Sequence, residues 1–75
     1  MSELSKIIGL KIRQQRQITG INQEKLALQA EIDRSYMGRI ERGEVNITVD
    51  KLYRLCMVLE CEATDLLPKV AELAV

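Results

Sequence analysis

The side chains best suited to specific recognition chemistry lie close together in one short segment. Arg34, Ser35, Tyr36 and Arg39 fall on the outward face of a predicted helix, and Arg42 stands at its end. An arginine guanidinium donates hydrogen bonds in a fixed fork that matches phosphate oxygens, or the O6 and N7 atoms of guanine. The segment therefore predicts a surface that binds DNA.

Two short helices within about residues 22–43 are expected to position this face. Asn22 and Asp33 are predicted to cap their N-termini, and Gly43 is expected to end the second helix, about Arg34–Arg42. The inward residues are predicted to be Leu26, Ala27 and Ala30 on the first helix, and Met37 and Ile40 on the second. A short helix that exposes arginines while it rests on another helix is typical of a helix-turn-helix that enters the major groove.

Apolar spacing predicts helices in the rest of the chain too, so the expected fold is all-α, a compact bundle of five helices in one domain, residues 1–75. The first helix is predicted at 2–17, with Gly20 just beyond it. Thr48 and Thr64 are expected to cap the fourth and fifth helices, and Pro68 to end the fifth. The predicted core stripes contain Leu4, Ile7, Ile8 and Ile12, then Leu52, Leu55, Cys56 and Leu59, then Leu66 and Leu67.

Composition excludes several classes of function. The 75 residues contain no His, and Cys56 and Cys61 have no metal-ligand spacing, so no metal, cofactor or small-molecule ligand is expected. There is no paired nucleophile and base and no glycine-rich phosphate loop, so an enzyme is not expected either. No stretch is long and apolar enough for a membrane span, which predicts a cytoplasmic protein.

The net charge is zero, but the charges are unevenly distributed. Residues 1–43 carry eight basic and five acidic side chains, a sum of +3. Residues 44–75 carry three basic and six acidic side chains, a sum of −3. The predicted DNA face lies in the positive half, which favours an approach of that half to phosphate.

Several motifs in order make this sequence resemble the Xre/Cro-like helix-turn-helix repressors, which have a lambda-repressor-like five-helix domain. The motifs lie at residues 8–16, 20–27, 33–43, 52–55 and 64–67. The segments D-R-S-Y, I-E-R-G and N-I-T are also similar to those of controller proteins of restriction–modification systems. Two departures stand out: Glu31 replaces a usual turn glycine, and Val45 replaces a frequent arginine.

The resemblance implies a role for each matching side chain. Gln23 would hold a phosphate, Arg34, Ser35, Tyr36 and Arg39 would face the major groove, and Asn46 and Thr48 would reach the adjoining DNA backbone. Arg16 and Glu41 match a frequent ion pair that joins the first helix to the end of the third, and they are assigned to structure rather than to DNA.

A domain this small contacts few bases, so a homodimer on a palindromic operator is expected. Its dimer surface is predicted within about residues 48–75, where apolar residues exceed the needs of one core. The candidates are Val49, Tyr53, Met57, Val58, Val70 and Leu73, of which at least half are expected to complete the core instead. The alternative function is a protein-interaction module, such as an antitoxin or anti-repressor, that uses this apolar C-terminal half.

Overall fold

The computed structural model describes residues 2–73, and this part of the chain is entirely helical. The predicted all-α fold with five helices is confirmed. Residues 1, 74 and 75 of the predicted domain lie outside the described part. The α-helices are α1, Glu3–Thr19; α2, Gln23–Ala30; α3, Arg34–Glu41; α4, Val49–Leu59; and α5, Ala63–Leu66, and a 3-10 helix follows at Val70–Glu72.

Side-chain caps fix the starts of four helices. Asn22, Asp33 and Thr48 accept hydrogen bonds from the backbone N–H three residues later, which confirms the three predicted caps. Ser2 does the same for α1, so this residue is a cap rather than the first helical residue. Helix α1 also runs two residues beyond its predicted end, to Thr19, and Gly20, with a φ of 79°, closes the helix.

The predicted cap of α5 is wrong. Thr64 lies inside the helix, and Glu62 is the N-cap; the Asp65 carboxylate accepts a hydrogen bond from the Glu62 N–H at 2.8 Å. The hydrogen bond from the Glu62 N–H to Asp65 places the start of the helix two residues earlier than a cap at Thr64 would. Pro68 ends the helix as predicted, because the residue before it, Leu67, is extended.

The core lies between the five helices: α1 packs on α3, α4 and α5, and α2 packs on α3 and α4. Its fully buried large side chains are Ile12, Leu26, Met37, Ile40, Leu55, Leu59 and Leu66. Two predicted core residues are exposed instead: Leu4 by 42% and Leu67 by 37%. Leu4 lies in the first turn of α1, at the rim of a small cavity, and Leu67 follows α5 in extended chain that leads away from the core.

Helix α1 supports α3 through a close crossing of the two backbones. A Cβ added to Gly9 would lie 2.5 Å from the carbonyl oxygen of Ile40, so no larger residue fits without a shift of one helix. Gly43, just after α3, is equally close: its Cβ would lie 2.6 Å from the Cα of Lys6. The position of α3 is therefore fixed against α1 at two points.

The turn between α2 and α3 uses a residue in the left-handed region. Glu31 has a φ of 58°, and Glu60, which ends α4, has a φ of 54°. A residue other than glycine pays about 1–2 kcal/mol for this conformation. Glu31 therefore adopts the left-handed backbone that the usual glycine would have at this turn. The turn has the same shape, and the cost is backbone strain at Glu31.

Candidate nucleic-acid interface

Helix α3 divides into a buried side and an exposed side. Met37, Gly38 and Ile40 are buried, whereas the side chains of Arg34 and Arg39 are exposed by 73% and 53%. Ser35 is exposed and donates its hydroxyl hydrogen to the Asp33 carboxylate. This bond and the one from the Tyr36 N–H hold the pKa of Asp33 below its usual value, so the carboxylate that caps α3 is charged at neutral pH.

Tyr36 lies at the border of this face and is partly buried against the core. The Lys51 ammonium, in the first turn of α4, lies 5.6 Å from the centroid of the Tyr36 ring, a cation–π distance. Lys51 was not among the predicted contact residues. It could have been selected from the sequence, because it lies in the first turn of α4, three residues after the predicted contact Thr48.

Gln23 and Arg42 meet across Gly38, where α3 has no side chain. A Cβ there would lie 3.0 Å from Nη1 of Arg42 and 3.5 Å from Oε1 of Gln23. Together with Arg34 and Ser35, these residues line a shallow, open depression on the α2–α3 surface. Guanidinium and amide groups converge on it, and their N–H donors are suited to phosphate oxygens.

The carboxylate of Glu41 lies beneath this depression and holds the side chains of Arg16 and Gln23 in place. It accepts from Nε and Nη2 of Arg16 at 2.8 and 3.1 Å, and from Nε2 of Gln23 at 3.1 Å. The side chains of Glu41 and Arg16 are exposed by only 4% and 15%. The ion pair joins α1 to the end of α3 and orients the Gln23 amide towards the depression.

Asn46 and Thr48 lie in the loop between α3 and α4. The Asn46 side-chain oxygen accepts from the Ser5 hydroxyl at 2.7 Å, and the Thr48 oxygen accepts from the Lys51 N–H at 3.2 Å. Each side chain therefore has its oxygen engaged in structure, while the Asn46 amide hydrogens and the Thr48 hydroxyl hydrogen are donors. These donors lie in the loop that follows α3.

All three arginines of this face are near a carboxylate. Arg34 lies 3.2 Å from Glu24 on α2, and Arg39 and Arg42 lie 3.7 and 2.7 Å from Glu44. Neither glutamate was predicted to lie at this face, because spacing and residue type do not show which side chains meet in the folded chain. The face is therefore less positive than the arginines alone suggest.

Comparison with protein families matches residues 12–66 to the helix-turn-helix family. The chain belongs to this helix-turn-helix family. The match contains α2 and α3, whose geometry is that of a supporting helix and an exposed second helix. Proteins of this kind bind DNA and regulate transcription, which agrees with the exposed donors of α3.

Individual relatives agree with the family. The chain is 36% identical to the control protein C.BamHI of Bacillus amyloliquefaciens over 62 residues, which cover 81% of this chain and 76% of that protein. Its fold is similar to the crystal structure of the restriction–modification controller protein C.AhdI of Aeromonas hydrophila, with a TM-score of 0.80, 34% identity, and coverage of 83% and 94%. The N-terminal DNA-binding domain of SinR from Bacillus subtilis gives a TM-score of 0.79, 30% identity, and coverage of 87% and 96%.

The predicted dimer residues are distributed over two segments of this helix-turn-helix protein. Val49, Tyr53 and Met57 are exposed, and their spacing of four residues places them along one side of α4. Val70 is exposed in the 3-10 helix, and Leu73 is partly buried. Val58 packs against the core, but four of the six candidates are exposed, so the expectation that at least half of them complete the core is wrong.

The two cysteines, Cys56 and Cys61, form no disulfide. Both are free, and burial raises the pKa of Cys61 to about 11 and raises that of Cys56. Within residues 2–73, no group of His, Cys, Asp or Glu side chains is arranged to hold a metal ion. None of the helices described here has both the length and the apolar character needed to cross a membrane.

Proposed function

We propose that this protein is a sequence-specific transcriptional regulator that controls restriction–modification genes. The exposed α3 face with Arg34 and Arg39, supported by α2 and fixed against α1, is the observation that carries this proposal. The similarity to C.BamHI, C.AhdI and the further control protein C.SmaI of Serratia marcescens supports the choice of target genes. The proposed role is regulatory rather than catalytic, and it is exercised on DNA in the cytoplasm.

Within this proposal, α3 lies in the major groove and its residues divide into two groups. Arg34, in the first turn of α3, reads bases, and Arg39 reads bases or a flanking phosphate. Gln23, Asn46 and Thr48 hold the DNA backbone through their donors, and Ser35 and Tyr36 lie between the groups. Arg34 must leave Glu24 to reach a base; this exposed pair is weak, so the cost of that step is small.

Selection of bound duplexes from a random DNA pool gives the operator and tests the proposal directly. On that operator, Arg34→Ala is expected to weaken binding by about 1–3 kcal/mol and to relax the preference at one base pair of each half-site. Gln23→Ala is expected to weaken binding to every single-base variant alike, because a phosphate contact carries no sequence information. Titration of both variants against the operator and its single-base variants measures the difference.

If both substitutions weaken binding to all duplexes equally and leave the base preference unchanged, Arg34 contacts phosphate rather than a base. Absence of any enriched sequence in the selected pool would overturn sequence-specific binding itself. Thermal unfolding of Gln23→Ala is the necessary control, because the substitution also removes a hydrogen bond to Glu41.

We further propose that the regulator acts as a two-fold dimer through α4 and the 3-10 helix. The apolar row of Val49, Tyr53 and Met57 supports this arrangement, because it is exposed and lies outside the α2–α3 surface. Recognition helices of such a dimer should lie about 34 Å apart, one turn of the duplex, on a palindromic operator.

Tyr53→Glu is expected to raise the dimer dissociation constant about thirtyfold, or ~2 kcal/mol, because a charge would be buried in an apolar interface. Ile18→Glu is the matched control, since Ile18 is an apolar residue at the end of α1 that is also exposed, by 76% against 55% for Tyr53. Sedimentation equilibrium over a concentration series measures both. Equal dissociation constants for the two variants would exclude α4 from the interface, and a monomeric wild type with and without operator would exclude the dimer.

A further inference from the structure

Glu44 lies at the end of the recognition helix and binds two of its arginines at once. Its carboxylate accepts from Nε of Arg42 at 2.7 Å and from Nη2 of Arg42 at 3.3 Å. Nε of Arg39 lies 3.7 Å from the same carboxylate. We refer to Arg39, Arg42 and Glu44 as the Glu44 cluster.

The backbone places Glu44 on the face that carries these arginines. The Gly43 N–H donates to the Ile40 carbonyl at 3.0 Å, and the Glu44 N–H donates to the Arg39 carbonyl at 2.9 Å. Gly43 has a φ of 75°, so the chain turns back over the last turn of α3. The hydrogen bonds from Arg42 also hold the pKa of Glu44 below its usual value, and the carboxylate is therefore charged at neutral pH.

Phosphate and Glu44 need the same donors. A phosphate oxygen that binds Arg42 or Arg39 takes the place of a carboxylate oxygen, and the displaced carboxylate stays nearby because its backbone is hydrogen-bonded to α3. On DNA of arbitrary sequence, affinity depends almost entirely on contacts to phosphate. Every such contact by Arg39 or Arg42 therefore breaks an existing ion pair.

An operator complex is affected less. It adds contacts to base edges, and these contribute binding free energy that does not depend on neutralising phosphate. In the proposed operator complex Gln23, Asn46 and Thr48 hold the DNA backbone, so Arg42 is not required to leave Glu44. The penalty from Glu44 therefore falls mainly on complexes that lack base contacts.

We propose that Glu44 is a specificity-determining residue: its carboxylate competes with phosphate for Arg39 and Arg42, and it lowers affinity for arbitrary DNA more than affinity for the operator. This inference rests on the proposed DNA-binding function. Glu44 contacts no base in this role and acts through the two arginines.

Glu44→Gln tests the proposal, because it removes the charge and keeps the size of the side chain. The probes are two short duplexes of equal length, one of random sequence and one carrying the selected operator. The variant is expected to bind the random duplex about tenfold more tightly at low salt and the operator less than about threefold more tightly, so that the ratio of the two affinities falls. The slope of log K against log salt on the random duplex should steepen by about 1–2, for one or two additional phosphates.

Glu60→Gln is the matched control. It removes the same charge at the far end of α4, an 11-residue helix about 16 Å long that begins after the loop of Glu44. Fluorescence anisotropy over a salt series gives affinities and slopes for both variants. The ratio of affinities should fall in Glu44→Gln alone, and adding Arg39→Gln and Arg42→Gln should abolish the gain on the random duplex.

Three results would overturn the inference: an unchanged ratio in Glu44→Gln, an equal change in Glu60→Gln, or a gain that persists without the two arginines. The first would show that Glu44 does not discriminate, and the other two would assign the effect to net charge. A wild-type protein that binds neither duplex would instead overturn the proposed function.

Discussion

Replacing Glu41 by Ala is expected to lower the free energy of unfolding by about 3–5 kcal/mol, a large part of the ~5–15 kcal/mol typical of a small domain. The reason is the guanidinium of Arg16, which lies in a largely buried site and donates two hydrogen bonds to this carboxylate. Without Glu41, the positive charge remains buried, and only the Ile21 carbonyl, 3.3 Å from Nη1, still accepts from it. Urea unfolding followed by circular dichroism measures the loss.

The double variant Arg16→Met with Glu41→Leu separates the two causes of this loss. Apolar side chains of similar size remove both charges together, so the double variant should recover most of the stability lost in Glu41→Ala. A double variant as unstable as the single one would show that packing between α1 and α3, rather than an unpaired charge, causes the loss. Glu41→Ala should also weaken operator binding, because Gln23 loses the partner that orients it.

The second large effect is expected for Gly43→Ala, which should cost about 2–5 kcal/mol of unfolding free energy. Alanine at a φ of 75° costs about 1–2 kcal/mol, and its Cβ would lie 2.6 Å from the Lys6 Cα, which adds a term typical of overpacking, about 1–3 kcal/mol. Two of the three nearest atoms, the Cα and N of Lys6, belong to the backbone, so a rotation of the Lys6 side chain cannot relieve the clash.

Gly20→Ala isolates the conformational part of this cost. Gly20 has nearly the same φ, 79°, but its added Cβ would meet no atom within 4 Å. It should therefore cost only the 1–2 kcal/mol or so of the left-handed backbone. Equal losses for the two substitutions, measured by urea unfolding, would show that α1 moves away from Gly43 freely.

The sequence was sufficient for the helices because their determinants are local. Asn22, Asp33 and Thr48 each cap a helix through an N–H only three residues away, and the apolar spacing of α2, α3 and α4 follows directly from the helical period. The error at Thr64 has the same local origin, since two neighbouring polar side chains were both able to begin α5. Exposure of Leu4 and Leu67 could not be read from spacing, because it depends on where the neighbouring helices end.

The electrostatics of the candidate site could not be predicted in the same way. Ser5 meets Asn46 across 41 residues, and Arg34 meets Glu24 across two helices. Such contacts depend on the angle between packed helices and on side-chain rotamers, which residue types alone do not specify. The predicted arginines are placed on one face, but their carboxylate partners became visible only in three dimensions.

The two glutamates in left-handed turns, Glu31 and Glu60, have a consequence for the evolution of this protein. Each carries about 1–2 kcal/mol of backbone strain that a single change to glycine would remove. Neither is one of the predicted DNA contacts, so such a change would leave the recognition residues intact. A destabilising substitution in α3 that recognises a new operator can therefore be compensated by a change of Glu31 or Glu60 to glycine. This possibility widens the set of α3 sequences that the fold tolerates.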